Sequence, residues 1–273
     1  DLFDNFIEVN NEAKALADDF LTRLASLVKE VVIVPGNHDI RKKNKKRLNS
    51  VKTIVKLIKV PNITYLEKSG FFEDVYFPQV VWVNHSHLEK EINPWTCDSG
   101  EPRDDEKIYI DIFHDPINGC YTDSGFKMEK NSYRRLKDFH GDFGFFGDIH
   151  KFQFLNKEKT YAYPSSLIQQ NFGEDPKQHG FLFWDLEQKQ ATFQKIESDY
   201  TMVNIYIGPD TDYEDLEIKD VDIKDNSKFK VIWQDYGAKM SIENELKIKR
   251  KLKEEFGAEM VKFDKETLQE DIS

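Results

Sequence analysis

The fold is decided by residues 31–39, which read Val-Val-Ile-Val-Pro-Gly-Asn-His-Asp. A run of β-branched residues is typical of a buried strand, and the Pro-Gly pair ends it. Such a strand delivers Asn37, His38 and Asp39 to the end of a sheet, where α/β folds place their chemistry. An Asn carbonyl oxygen is a hard metal ligand, and a histidine donates a proton near neutral pH. Taken alone, the loop could also be a turn with an incidental histidine.

The composition limits the class of protein. The chain has 273 residues, 39% of them apolar, which is enough for one large domain or for one domain with a smaller second one. It contains no run of about eighteen apolar residues and no signal-peptide pattern, so we expect no membrane segment. Cys97 and Cys120 lack the spacing of a metal site, which favours a cytoplasmic protein, in the host cytoplasm if the source is viral. The net charge of −11 argues against a broad basic surface that binds nucleic acid unaided, but it is compatible with a nuclease.

Apolar periodicity predicts a mixed α/β chain. The helices are predicted at residues 6–27, 51–58, 133–139 and 241–255. The strands are predicted at residues 31–34, 63–66, 75–77, 80–84, 107–113, 143–146, 160–163, 180–186, 191–196, 202–207, 229–233 and 260–263. The first helix is expected to bury one face that contains Ile7, Ala15, Leu16, Phe20, Leu21, Leu24 and Leu27. A change of character near Ser198 predicts a first domain at 1–198 and a small α/β domain at 199–273.

Residues of the metal-ligand type follow several predicted strands or open the chain: Asp1, Asp4, Asn37, His38, His114, Asp148 and His150. Parallel strands bring their carboxyl ends to one edge of a sheet, so these residues can meet in space. A mixed set of oxygen and nitrogen donors suits two metal ions spaced for phosphoester hydrolysis.

Each of these residues also has an ordinary structural interpretation. His114, which precedes Asp-Pro, could cap a turn, and Asp148 with His150 could form a surface pair. We interpret His85 and His87 as structural or supporting, and His140 and His179 as surface or loop residues. The basic run at 42–47 is either a solvated face or a phosphate contact. The amides of Gln169, Gln170 and Asn171 either satisfy a strand end, which we favour, or contact DNA or the metal site.

Several motifs in order resemble a known family. Asp-Leu-Phe-Asp-Asn at 1–5, Gly-Asn-His-Asp at 36–39 and Gly-Asp-Ile-His at 147–150 resemble motifs of the calcineurin-like metallophosphoesterase superfamily. Residues 163–174 read Tyr-Pro-Ser-Ser-Leu-Ile-Gln-Gln-Asn-Phe-Gly-Glu, and residues 179–185 read His-Gly-Phe-Leu-Phe-Trp-Asp. These two stretches resemble the bacterial SbcD nucleases and their phage relatives. The resemblance covers about residues 1–190.

The resemblance implies a four-layer metallophosphoesterase β-sandwich flanked by helices, with a small α/β capping domain. It implies that Asp1 bridges two divalent metal ions, manganese or alternatively magnesium. Asn37, His114 and Asp148 would complete one metal site, and His150 would bind the other ion. His38 would contact the scissile phosphate and protonate the leaving oxygen.

The sequence departs from the family pattern in three places. The opening Asp-x-His motif is absent, so we expect the chain to begin inside a motif, without the family's first strand. Asp148 stands where the family usually has a histidine. Asp4 stands where cellular relatives often carry a histidine near the phosphate. We predict a catalytic part for Asp4, although an aspartate departs from the family's arrangement for proton transfer.

The implied function is that of a metal-dependent exonuclease or endonuclease that acts on double-stranded DNA ends in recombination or repair. An SMC-like ATPase would be its partner in an SbcCD-like complex, and a homodimer is expected. Arg41, Lys42 and Lys43 would contact the DNA. Two alternatives stay open: a phosphatase of the same superfamily that acts on a smaller phosphoester, and a catalytically weak scaffold that binds DNA ends or the ATPase.

Overall fold

The computed structural model describes residues 1–3, 9–40, 48–96, 103–131, 133–209, 211, 216, 218, 221–234 and 240–265. Internal contacts divide the chain into two compact units. The first consists of Asp1–Ser165 with Leu182–Thr192, and the second of Ser166–Phe181 with Phe193–Ser273. The predicted mixed α/β class is confirmed. The domain boundary at residue 199 stays a prediction.

The part of the chain up to residue 195 contains two helices and most of the strands. The helices are α1 (Asn11–Leu27) and α2 (Ser50–Ile58). The strands are β1 (Val31–Ile33), β2 (Ile63–Tyr65), β3 (Gly70–Glu73), β4 (Val80–His85), β5 (Ile108–His114), β6 (Phe143–Gly147), β7 (Gln153–Phe154), β8 (Tyr161–Tyr163), β9 (Gly180–Asp185) and β10 (Gln190–Lys195). Short 3-10 turns lie at His87–Glu89, Pro94–Thr96 and Leu136–Asp138.

A six-stranded sheet of order β3-β4-β5-β6-β8-β7 forms the centre of the first unit. Strands β4, β5, β6 and β8 run parallel, so their carboxyl ends meet at one edge. One face of the sheet packs Ile110 and Phe143 against Trp184 of β9. The opposite face packs Phe113 and Phe146 into a second apolar cluster. Because both faces are covered, the sheet is rigid enough to position residues at its edge.

A smaller layer consists of the parallel pair β1 and β2 with α1 and α2. The predicted start of the first helix at residue 6 is wrong, because Asn10 caps the helix: its Oδ1 accepts the N–H of Ala13 at 2.7 Å. Residues 6–8 lie outside the described residues.

The predicted buried face of α1 is also wrong in part. The helix buries Ala17, Leu21 and Ala25, whereas the side chains of Leu16 and Leu27 are 70% and 81% exposed. Apolar residues occur on both sides of this helix, so periodicity alone does not decide which side is buried.

Two local predictions fail for reasons of turn chemistry. The strand predicted at 75–77 is a turn, because Asp74 Oδ1 accepts the N–H groups of Tyr76 and Phe77, both at 2.8 Å. The strand of this region is β3 instead, which precedes Asp74. The helix predicted at 133–139 is reduced to the 3-10 turn Leu136–Asp138.

The second unit contains a parallel three-stranded sheet of order β11 (Met202–Ile207), β12 (Lys228–Trp233) and β13 (Met260–Lys265). Helix α3 (Ile242–Phe256) starts after the cap Ser241 and ends at Gly257, whose φ of 61° suits glycine. The apolar core of the second unit includes Phe229, Ile248 and Leu252. The predicted order strand, strand, helix, strand is confirmed here. Within the described part of the chain, no helix is long and apolar enough to cross a membrane.

Candidate metal centre

Three predicted ligands meet at the carboxyl edge of the central sheet. His114 ends β5, and Asp148 directly follows β6. The Nε2 atom of His114 lies 3.1 Å from Asp1 Oδ2. One potential ligand atom from each of Asp1, His114 and Asp148 lies within 4.8 Å of those from the other two. Residues that are far apart in sequence therefore form one cluster of carboxylate and imidazole donors.

Asn37 adds an amide oxygen to this cluster. Its Nδ2 donates a hydrogen bond to Asp148 Oδ1. Its buried Oδ1 has no hydrogen-bond partner among the described residues. An unpaired buried carbonyl oxygen is costly, and coordination to a cation would satisfy it. The donor set of Asp1, Asn37, His114 and Asp148 fits a divalent ion such as manganese or magnesium.

The protonation state of His114 suits a ligand. Burial lowers the pKa of His114 to about 3, so its imidazole is neutral at pH 7. A neutral ring offers a lone pair to a metal ion. Gly147 permits the close packing of this ring, because a Cβ at that position would lie 2.5 Å from His114 Nδ1. Gly36 does the same for Asp1, whose Oδ1 would lie 2.0 Å from a Cβ at residue 36.

The backbone at Asp148 is unusual. Its φ is 83°, in the left-handed region that most residues with a side chain avoid. Aspartate is among the few such residues that tolerate this region, because its short polar side chain makes local hydrogen bonds. Strained positions of this kind cluster at functional sites. An aspartate at position 148 therefore suits both the left-handed backbone conformation and the ligand cluster.

Asp39 has a part in this site that the sequence motifs did not predict. Asp39 is completely buried, and its Oδ1 accepts the N–H groups of Leu2 and Phe3 at 3.1 Å. Its Oδ2 accepts the N–H of Gly36 at 2.9 Å. The carboxylate thus ties the segment that carries Asp1 to the loop that carries Asn37. An acidic residue that ends a Pro-Gly loop was the available signal, since such residues often accept backbone N–H groups.

We expect Asp39→Asn to weaken Mn²⁺ binding by roughly 10- to 100-fold, the usual cost of losing a partner that orients metal ligands. The variant keeps the shape of the side chain but loses charge and one acceptor, so the segment with Asp1 is held less firmly. Isothermal titration with Mn²⁺ measures the change. The matched control is Asp74→Asn, another buried aspartate that accepts the N–H groups of Tyr76 and Phe77, outside the cluster. Equal Mn²⁺ affinity in the two variants would show that Asp39 has no specific part in the site.

The other predicted site residues are placed differently. His38 is exposed, and its backbone N–H donates to Asp1 Oδ1 at 2.8 Å. His150 is half-buried and is not among the three residues of the cluster. The remaining candidates lie outside the described residues: Asp4, Arg41, Lys42 and Lys43. The chemical roles of all these residues stay predictions.

His85 and His87 are not among the three residues of the cluster, and both have carboxylate partners. His85 Nε2 lies 2.7 Å from Asp111 Oδ1, and both side chains are fully buried. His87 Nδ1 lies 2.7 Å from Asp115 Oδ2. These contacts agree with the structural or supporting interpretation of the pair.

His179 lies in the loop before β9, which is one of the two predicted alternatives, but it is not a surface residue. His179 is buried, and its Nδ1 lies 3.0 Å from Ser166 Oγ, which also contacts Glu174 Oε2 at 3.0 Å. Buried polar groups need partners, and this network supplies one for Nδ1, whereas the buried Nε2 has none among the described residues. Gln169 is likewise buried, and its amide bonds to the backbone at Met202, as the structural interpretation predicted.

Comparisons with known proteins agree with this geometry. The family model of calcineurin-like phosphoesterases matches residues 1–152, more than half of the chain. An uncharacterized protein of Acanthamoeba polyphaga mimivirus is 32% identical over 208 residues, which covers 73% of this chain and 15% of that protein. The chain thus spans a small part of the length of this relative. The match covers Asp1, Asn37, His114 and Asp148, and the chain therefore belongs to the calcineurin-like phosphoesterase family of metal-dependent phosphoester hydrolases.

Proposed function

We propose that this chain is the catalytic part of a DNA nuclease of the SbcD type, which hydrolyses phosphodiester bonds at the ends of double-stranded DNA. The observation that carries the proposal is the exposure of His38, whose backbone N–H contacts Asp1 of the cluster. An open site accepts a phosphodiester within a polymer, whereas small-molecule sites enclose most of their ligand. The stretches at 163–174 and 179–185, which resemble SbcD nucleases, support the same substrate.

The residues of the cluster have separate tasks in this mechanism. Asp1, Asn37, His114 and Asp148 would hold a divalent cation, and His150 would help to hold a second. When bound, the cations supply Lewis acidity toward the phosphoryl oxygens and activate a water molecule. Asp39 fixes the segment that carries Asp1.

His38 is the proposed proton donor. It is exposed and its backbone N–H contacts Asp1, which supports a place for this residue beside the cluster. It would contact the scissile phosphate and donate a proton to the leaving oxygen. Asp4 would assist near the phosphate.

The partners follow from charge and from the resemblance. Manganese is the proposed metal, with magnesium as the alternative. The net charge of −11 makes tight DNA binding by the whole surface unfavourable, so local contacts from Arg41, Lys42 and Lys43 would be needed. An SMC-like ATPase would add further basic surface, and a homodimer would present two sites to a DNA end.

Cleavage of a linear DNA duplex with Mn²⁺ tests the proposal. We expect the wild type to shorten the duplex and His38→Ala to be slower by roughly 10²- to 10⁴-fold, the usual contribution of a general acid. The matched control is His140→Ala, an exposed histidine outside the cluster, which should cleave at the wild-type rate. Product length on a gel measures the reaction.

The other possible outcomes of these assays would indicate a different function or a different role for His38. Hydrolysis of bis-p-nitrophenyl phosphate without any cleavage of DNA would indicate a phosphatase or phosphodiesterase of smaller esters. Cleavage that survives His38→Ala would remove His38 from the mechanism. No hydrolysis of either substrate, even with an SMC-like ATPase and ATP, would indicate a binding scaffold.

A further inference from the structure

The loop that follows β5 is fixed beside the metal cluster. We call residues 115–138 the β5 loop, since they directly follow His114, and the structure describes them except for Ser132. The carbonyl oxygen of Asp115 accepts the O–H of Tyr163 at 2.8 Å, and the N–H of Ile117 donates to the same hydroxyl oxygen at 2.9 Å. Tyr163 lies on β8 and is completely buried. The β5 loop therefore begins at a defined place on the carboxyl edge of the sheet, next to a predicted metal ligand.

The tip of the β5 loop is hydrogen-bonded to the segment that follows Asp148. Tyr121 and Lys127 form an isolated antiparallel bridge, so residues 121–127 make a small hairpin. The N–H of Tyr121 donates to Gln153 Oε1 at 2.9 Å, and the carbonyl oxygen of Tyr121 accepts Gln153 Nε2–H at 2.7 Å. Gln153 lies on β7, which is the first strand after Asp148. The hairpin is thus held against the chain that leaves the metal cluster.

The hairpin presents aromatic rings to solvent. Tyr121 is 44% exposed and Phe126 is 66% exposed. Residues that face each other across an antiparallel bridge lie on the same side, so the ammonium of Lys127 accompanies Tyr121. Lys127 Nζ contacts Glu129 Oε1 at 2.5 Å, but an exposed ion pair of this kind contributes little free energy, so a phosphate can replace the carboxylate. Exposed rings beside a cation are the features on which nucleic-acid bases stack.

The β5 loop is basic although the chain as a whole is acidic. Residues 127–137 contain five basic side chains and one acidic one, whereas the whole chain has a net charge of −11. Lys130 is exposed, and its Nζ lies 5.5 Å from the centroid of the Tyr133 ring. On β7, the ring of Phe154 has Lys159 Nζ at 5.7 Å from its centroid. Lysines and aromatic rings therefore occur together around the hairpin, which suits a polyanion with flat groups.

We propose that the β5 loop binds single-stranded nucleic acid, with unpaired bases stacked on Tyr121 and Phe126 and with backbone phosphates at Lys127 and Lys130. This inference deepens the proposed nuclease function and rests on it for the choice of nucleic acid: the substrate would be a DNA end whose last bases are unpaired. In a duplex the faces of the bases are covered by their neighbours, so an exposed ring gains most from an unpaired base. An acidic peptide would meet the lysines equally well, but it offers no regular series of flat faces to the two rings.

Binding of a fluorescein-labelled oligothymidine of about twelve nucleotides tests the proposal. Fluorescence polarisation of the whole chain is measured with EDTA present, so that the probe is not cleaved. The double variant Tyr121→Ala with Phe126→Ala should bind at least about fivefold more weakly than the wild type, which is the effect of losing one stacked base. Lys130→Gln should lower the slope of log K against log salt concentration by about 0.7, the contribution of one phosphate contact.

Two control variants should bind oligothymidine as the wild type does. Tyr121→Phe with Phe126→Tyr keeps both rings, and Tyr76→Ala removes a ring that is 44% exposed and precedes β4, at the opposite edge of the sheet. If the double alanine variant unfolds at a lower temperature than the wild type, Tyr121→Leu with Phe126→Leu replaces it and should lose the same binding. Equal binding by the ring-free variant and the wild type would overturn the proposal. Binding of polyglutamate as tight as that of oligothymidine would also overturn it, because the surface would then recognise charge alone.

Cleavage with Mn²⁺ separates this inference from the proposed function. The double alanine variant should raise the KM for a DNA duplex with a single-stranded overhang. It should leave the hydrolysis of bis-p-nitrophenyl phosphate unchanged, because this small ester has no further nucleotide to place on the β5 loop. Cleavage of the overhang with the same KM in both proteins would overturn this inference and leave the nuclease in place. Ring-dependent binding of oligothymidine without cleavage of any DNA would overturn the nuclease and leave the binding surface in place.

Discussion

Asp148→Gly should lower Mn²⁺-dependent phosphoester hydrolysis by about 10³-fold, which corresponds to the roughly 4 kcal/mol that a metal ion contributes through charge stabilisation. Glycine accepts the φ of 83° at this position, so the variant removes the carboxylate without adding backbone strain. It also removes the acceptor of the Asn37 Nδ2 hydrogen bond. The hydrolysis of bis-p-nitrophenyl phosphate and Mn²⁺ titration measure the loss of activity and of binding.

Two further variants make this experiment specific. Asp148→Asn keeps an oxygen ligand and tolerates the left-handed backbone, so it should lie between the wild type and the glycine variant. Asp105→Ala removes an exposed aspartate of the same unit and should leave both quantities unchanged. If Asp148→Gly kept the Mn²⁺ affinity of the wild type, Asp148 would be a support of the loop and not a ligand. The histidine that the family usually has at this position would then have no functional replacement in this chain.

The sequence predicted which strand ends meet, because their apolar runs are long and each ends in residues of the ligand type. His114 and Asp148 follow neighbouring parallel strands, and the register of β5 with β6 pairs His114 with Gly147, one residue before Asp148. The rule that parallel strands share a carboxyl edge was therefore sufficient to join them. The sequence did not predict that Asn37 Oδ1 lacks a hydrogen-bond partner among the described residues. A pattern of residue types does not show which polar atoms are unpaired.

The errors have a common physical cause, which is that side-chain contacts between distant segments decide burial. Asp39 accepts N–H groups from Leu2 and Phe3, more than thirty positions away, so its place in the Pro-Gly loop indicates backbone contacts but not which distant segment it holds. His179 is buried and its Nδ1 contacts Ser166, although its neighbours in sequence are polar. The exposed Leu16 and the buried Ala17 show the same limit in a helix, where packing against β1 and α2 selects the face.

Asp111→Ala should lower the free energy of unfolding of the first unit by about 3–5 kcal/mol. This is the usual cost of removing one partner from a buried charged pair. Asp111 lies on β5 and is completely buried. Its carboxylate is 2.7 Å from His85 Nε2 and accepts the Trp95 Nε1–H and the Gly141 N–H, also at 2.7 Å. All three groups, of which His85 is fully buried and the other two are half-buried, would lose this acceptor at once. Urea unfolding followed by tryptophan fluorescence measures the change, since Trp82, Trp95 and Trp184 lie in the first unit.

Asp104→Ala is the control for this experiment, because Asp104 is exposed. Among the described residues, its carboxylate accepts one hydrogen bond, which comes from the N–H of Glu106 to Oδ1. It should change the free energy of unfolding by less than about 0.5 kcal/mol. A loss below about 1 kcal/mol for Asp111→Ala would mean that water or a shifted side chain replaces the carboxylate.

Mn²⁺ binding by the folded fraction of Asp111→Ala separates support of the fold from support of the site. His114 ends the same strand, but its hydrogen-bond contact is with Asp1, so the folded fraction should keep the Mn²⁺ affinity of the wild type. A loss of affinity that exceeds the loss of folded protein would instead show that Asp111 positions His114 along β5.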